Sequence, residues 1–187
     1  MKRRKFMAML GAAAASPIAA RGQQAERVRR VGVLMAFDEN DPEARAYLSG
    51  FTQGLAQLSW IDGRNLRMDV RWDDDNVDRQ RMYAKELADL QPDVILAPAT
   101  PQTAAFQQQT RTIPIVFVMV SDPIGSGFVA SLPRPGGNIT GFMLQEAGMA
   151  GKWLEFLTEV APAVRRAALM FNPDTAPFVR SFYLPLF

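Results

Sequence analysis

The sequence predicts an α/β protein, a parallel sheet sandwiched by helices, on three observations. Short apolar runs at residues 31–36, 94–97 and 115–120 have the composition of strands buried on both faces. The segments between them carry apolar residues at the spacing of amphipathic helices. The connections are short and the strand–helix order repeats four times, which argues for parallel strands joined by right-handed crossovers.

The elements follow in order. Residues 31–36 form the first strand and residues 38–41 an acidic loop. Asp41 is placed to cap a helix that has Pro42 at its first position. Leu48, Phe51, Leu55 and Leu58 then recur at spacings of three and four, the stripe of that helix. Asp62-Gly63 is a turn. Leu66, Met68, Val70 and Trp72 alternate with Arg67, Asp69 and Arg71, so this strand has one wet face and belongs at a sheet edge. Met82, Tyr83, Leu87 and Leu90 mark the next helix, closed by Pro92. After the strand at 94–97, Thr100 is expected to cap a helix with Pro101 at its first position. The strand at 115–120 is followed by residues 121–141, which hold five Gly and three Pro. Met149, Trp153, Phe156, Leu157 and Val160 give a further helix, residues 167–171 are expected as a fifth strand, and Asn172-Pro173-Asp174 as a turn. One helix and one strand cannot hide their own apolar surface. The second lobe therefore reads as incomplete and the chain as a fragment of a longer protein.

Residues 1–25 stand apart. Lys2, Arg3, Arg4 and Lys5 precede a mildly apolar, Ala-rich stretch that ends in small residues, the layout of an export signal peptide, and Arg3-Arg4 before Phe6 is twin-arginine-like. Of the 21 basic residues in the chain, four lie within residues 1–20 and none of the 19 acidic ones does; cleavage after Ala20 leaves 17 against 19, a net −2. The basic balance thus belongs to the leader and does not describe a nucleic-acid-binding face. The chain has no Cys and no His, which excludes disulfides and removes the commonest general base and metal ligand. About 160 residues remain, enough for one good core.

Several motif-like strings carry no chemistry. Gly125-Ser126-Gly127-Phe128-Val129-Ala130 fits a dinucleotide-binding pattern in letters only, because four residues separate it from the preceding strand. Asp73-Asp74-Asp75 lacks the Gly and Glu of a calcium loop and reads as a solvated turn before a helix. The strand ends are richer, since open parallel sheets bind ligands beyond their carboxyl ends. Phe37, Asp38 and Glu39 lie after the first strand, Thr100 and Thr103 after the third, Ser121 and Asp122 after the fourth. The helix start near Thr100 suits an anion, with Thr100 and Thr103 as hydroxyl donors. Asp122, Asp38 or Glu39 suits an ammonium group, and Phe37 an apolar portion. Together they suit a zwitterion such as an amino acid. No metal and no cofactor is expected.

From about residue 30 onward the chain resembles the substrate-binding proteins of a family of bacterial ABC importers. The residues that carry the resemblance are G-F-T-Q-G-L from Gly50, D-G-R-N from Asp62, P-D-V-I-L from Pro92 and I-P-I-V-F-V from Ile113. The longest is D-P-I-G-S-G-F-V-A-S-L-P-R-P-G-G-N-I-T-G from Asp122. The resemblance implies a type I periplasmic-binding-protein fold: two α/β lobes, hinged by crossing strands, with the ligand between them. On that reading residues 26–132 are the amino-terminal lobe, 133–141 the hinge crossing and 142–187 the start of a truncated second lobe, with Asn172 facing the cleft. It also implies a periplasmic, monomeric, non-enzymatic protein that hands a small solute to an ABC permease in the inner membrane. A sensory ligand-binding module reporting to a membrane receptor is the alternative. The family has a usually Gly-containing turn where Pro98-Ala99-Thr100-Pro101 stands here.

Overall fold

In the computed structural model, which describes residues 27–146 and 148–187, five strands build one parallel sheet. They are β1 (Arg29–Met35), β2 (Leu66–Trp72), β3 (Val94–Pro98), β4 (Ile115–Val120) and β5 (Ile139–Met143), hydrogen-bonded in the order β2-β1-β3-β4-β5. The leader read at residues 1–25 lies outside the described residues.

Alternation along β1 sorts the two faces of the sheet, because successive side chains point to opposite sides. Leu34 packs with Leu87, Ile95, Phe106 and Phe117 under α2 (Val77–Asp89) and α3 (Thr100–Gln109). Val31, Val33 and Met35 pack on the other side with Leu48, Phe51 and Leu55 of α1 (Pro42–Gln57). Each fully buried Leu, Ile or Phe in these layers contributes about 1.5–3 kcal/mol of transfer free energy. Asp41 caps α1 as its sequence suggested, accepting hydrogen bonds from the amides of Glu43 (2.9 Å) and Ala44 (2.8 Å). β2 lies at the edge: Leu66, Met68, Val70 and Trp72 join the α1 layer, and Asp69 turns the other way to meet Arg30.

The fifth strand is not where apolar content placed it. Residues 162–170 are exposed and form no strand, because no partner strand is offered to them among the described residues. Instead Ile139–Met143 leaves the Gly/Pro-rich segment and pairs with β4. The pairing is regular from Ile115↔Ile139 to Phe117↔Gly141, then shifts by one residue before Val120↔Met143. Met119, in a left-handed conformation (φ 56°), takes up that extra residue.

Beyond the sheet, α4 (Met149–Val160) buries Ala150 and packs Trp153 against an aromatic cluster. That cluster is supplied by a π-helical turn at Val179–Tyr183 and its neighbours. The rings of Trp153 and Tyr183 lie 5.2 Å apart and those of Phe182 and Tyr183 4.9 Å apart, edge to face. Phe156 and Val160, on the expected apolar stripe of α4, remain exposed.

Candidate functional site at the carboxyl edge of the sheet

Because β2, β1, β3 and β4 are neighbours in the sheet, the loops that follow them are adjacent too. Hydrogen bonds tie them together. The Ala99 amide donates to the Val118 carbonyl (2.9 Å), Asp73 to Met35 (3.0 Å), and Asp74 to Phe37 (3.2 Å). This edge carries most of the residues that the sequence singled out.

Phe37 is in the left-handed region (φ 71°) and the residue is 44% exposed, where an apolar ligand portion is expected to meet it. Asp38 and Glu39 are exposed. Asp38 accepts from the Asn40 amide (2.7 Å), so part of its carboxylate already shapes the loop. Ser121 and Asp122 are buried. Asp122 Oδ1 accepts from the Gly125 amide (2.8 Å), and an added Cβ at Gly125 would overlap this carboxylate. Glycine at 125 is therefore what lets the chain fold back over Asp122.

Thr100 is the first residue of α3 and not its cap. The cap position belongs to Ala99, whose φ of 116° and ψ of 167° lie in a region that glycine alone visits readily. The reason is local: the strand ends at Pro98, the helix begins at once, and Ala99 must make the whole change of direction. No side chain caps α3, so the Thr100 and Gln102 amides have no cap partner and the positive end of the helix faces this edge. Thr103 is fully buried, and its hydroxyl donates to the Ala99 carbonyl (2.8 Å). It buttresses the strained residue and offers no free donor. Asn172 stands apart: it is exposed, and its side-chain oxygen accepts from the Asp174 amide (2.9 Å) in the expected turn. Among the described residues no hydrogen bond joins it to this edge.

Two recesses flank the edge. One, of about 340 Å³, is lined by Asp38, Glu39, Trp72, Asp74, Arg79 and Tyr83. The other, of about 190 Å³, is apolar and lies under the ends of β1, β3 and β4 between Met35, Tyr47, Phe51, Pro98 and Met119. Sequence reasoning missed Tyr47 and the two Met, whose helical and strand positions looked like ordinary packing. It also misread Asp73. That residue is completely buried, not a solvated turn, and burial pushes its carboxyl above the usual range.

The layout is that of an open parallel α/β protein whose candidate ligand loops gather at the carboxyl end of the sheet. Residues 31–182 match the family model described as ABC transporter substrate binding protein, and the chain belongs to that family. Proteins of this family bind solutes and are not enzymes.

A tyrosine-binding protein of Clostridioides difficile is 28% identical over 147 residues, covering 79% of this chain and 41% of that protein. A solved structure of a conserved domain protein from Vibrio cholerae is 30% identical with a TM-score of 0.74, covering 83% of this chain and 51% of that one. An ABC domain from Streptococcus pneumoniae, solved in complex with L-Trp, is 25% identical with a TM-score of 0.63, covering 72% and 44%. The fold is the α/β fold of these solved structures, and the chain spans about half the length of these relatives or less. No helix of the described residues is long and apolar enough to cross a membrane.

Proposed function

We propose that this chain is the ligand-binding part of an exported, monomeric solute receptor that delivers an amino acid to an inner-membrane ABC permease from the periplasm. The observation that carries the ligand class is the meeting of opposite electrostatic features at one edge. The uncapped start of α3 offers amides and a helix dipole to a carboxylate. Asp122, a few residues past the neighbouring strand β4, offers an anionic oxygen to an ammonium group. Phe37 and the apolar recess beside it supply room for a side chain. The relatives named for tyrosine and solved with L-Trp support an aromatic side chain.

On this reading Phe37, Asp38, Glu39, Thr100, Ser121 and Asp122 line the first wall of an interlobe cleft, and Thr103 holds Ala99, at the start of α3, in place. Residues 133–141 lead out of the first lobe, and Asn172 belongs to the facing wall contributed by residues 142–187. The leader at 1–25 is the export address.

The test is calorimetry with L-tryptophan and L-tyrosine. It is run on the chain and on the chain joined to the matching carboxyl-terminal half of the Vibrio cholerae relative. Binding is expected in the joined protein. Asp122→Ala is expected to weaken it at least tenfold, because a hydrogen bond to a charged group is worth about 1.5–3 kcal/mol. No heat with any amino acid sinks the ligand assignment. Failure of the loaded protein to stimulate the ATPase of a purified permease sinks the importer role in favour of a sensory module.

A further inference from the structure

We propose that Asp73 is a positioning residue for the ligand-facing edge: one buried carboxylate fastens the first turn of α3 to the loops that follow β1 and β2. Its link to ligand binding rests on the reading of this edge given above.

Three separate elements converge on this carboxylate. Oδ1 accepts from the Asp75 amide (3.0 Å), which shapes the loop after β2. Oδ2 accepts from Gln102 Nε2 of α3 (2.8 Å) and from Gln80 Nε2 of α2 (3.3 Å). The backbone of the same loop reaches β1, through Asp73 to Met35 and Asp74 to Phe37. Gln102 sits two residues after Thr100 and is fully buried. The orientation of the α3 start is therefore coupled to the loop carrying Phe37 through a single acceptor. Only a carboxylate takes three donors on two oxygens while offering no donor of its own. Asparagine would turn an amide group toward two amide groups.

The network also has two arrangements. With Asp73 ionised, Gln102 turns Nε2 toward it, and Gln102 Oε1 is left buried without a partner among the described residues. A neutral carboxyl carries a proton of its own, and Gln102 answers it by turning Oε1 inward. The orphaned oxygen is thus the mark of the ionised arrangement. Burial raises the carboxyl's affinity for a proton, its three hydrogen bonds oppose this, and the charge acting on it among the described residues is that of Asp75, also negative. Its partners from β1, α2 and α3 are Met35, Gln80 and Gln102, all uncharged. Burial thus favours the protonated carboxyl in the folded arrangement, and acid tightens the tie between α3 and its neighbouring loops.

Hydrogen exchange tests this without a ligand. In Asp73→Ala, amides 100–106 and 36–41 are expected to exchange at least tenfold faster, with the amides of β1 and β3 changed far less. Gln102→Leu should reproduce the effect in α3, and the double variant should add little. In the wild type the protection of α3 relative to β3 should rise as pH is lowered from 8 to 4; in Asp73→Asn it should be flat. Should Asp73→Ala fail to fold, Asp73→Asn and Gln102→Leu carry the test. Uniform loss of protection, additive effects, or wild-type pH dependence in Asp73→Asn overturns the proposal. Exchange as expected with no uptake of L-tryptophan leaves the positioning role standing and removes the ligand reading. Unaltered L-tryptophan affinity in Asp73→Ala, with unaltered exchange, removes the positioning role alone.

Discussion

The two ends of the sheet are built from the same strands and differ in kind. At the amino end, charges and amides are answered at the surface. Asp93 accepts from the Arg30 amide (2.9 Å) and from Arg29 Nη1 (2.8 Å). Asn138 donates to the Ile113 carbonyl (2.7 Å) and so fixes the entry to β5. Left-handed residues here, Ser59 and Gln91, directly follow Leu58 and Leu90, the C-caps of α1 and α2, a common way to end a helix.

At the carboxyl end, Phe37, Asp74, Asp75, Ala99 and Met119 all have positive φ, α3 has no side-chain cap, and Asp73 is buried without a cation. Backbone strain and buried charge commonly cluster at functional sites. The amino end holds the sheet together, and the carboxyl end is held in shape by it.

The largest expected effect lies where the regular half of the sheet gives way to the irregular one. Gly141 pairs with Phe117 at the last regular step before the shift at Met119. A Cβ there would overlap the Phe117 carbonyl and ring. Gly141→Ala is expected to lower unfolding free energy by about 3 kcal/mol, read from denaturant midpoints. A loss under about 1 kcal/mol would show that β5 is a loosely attached edge.

Ala99→Gly should do the reverse. The conformation of Ala99 costs of order 1–3 kcal/mol. Glycine relieves this and returns about 0.4–1 kcal/mol to the unfolded chain as entropy. A net gain of about 1 kcal/mol is expected. If the variant is less stable than the wild type, Ala99 is not under strain and the contrast between the two ends weakens.

The same contrast explains what the sequence could tell. Apolar runs and helical spacing reveal a sheet and its helices because burial demands a side chain of the right kind at each step. Asp41-Pro42 and the alternating Leu66–Trp72 were legible for that reason. The five-residue β5 was not, because Gly141 and the preceding prolines mask it. Residues 167–171 have strand composition and no neighbour to pair with, and pairing is a property of the fold, not of the segment. The site was legible as a place, through the strand ends, more than as a set of roles. Thr103 and Asp73 look like polar loop residues in the string D-D-D-N or T-P-Q-T. Only the packing of α2 and α3 shows that both are interior.

The smallest expected effect separates the two ends by sign. The Arg30 backbone amide, then the Arg29 guanidinium, hold the Asp93 carboxyl below its usual range. A lowered folded-state pKa gives stability that is present above the ordinary Asp value of about 3.9 and is lost as pH falls through the lower folded value. The Asp93 side chain is partly covered and Arg29 is about half exposed, so solvent screening limits the term to about 0.5 kcal/mol. Asp93→Asn should therefore lower Tm slightly at pH 7, by an amount that shrinks in high salt and vanishes near pH 2. Asp73 has the opposite sign: its raised folded-state pKa gives stability that is complete below about 3.9 and is lost as pH rises through the folded value. Asp73→Asn should thus change Tm most favourably near neutral pH, relative to its effect in acid. Matching pH slopes for the two variants would mean that the buried carboxylate is solvated after all, and the distinction between the ends would fail at its most specific point.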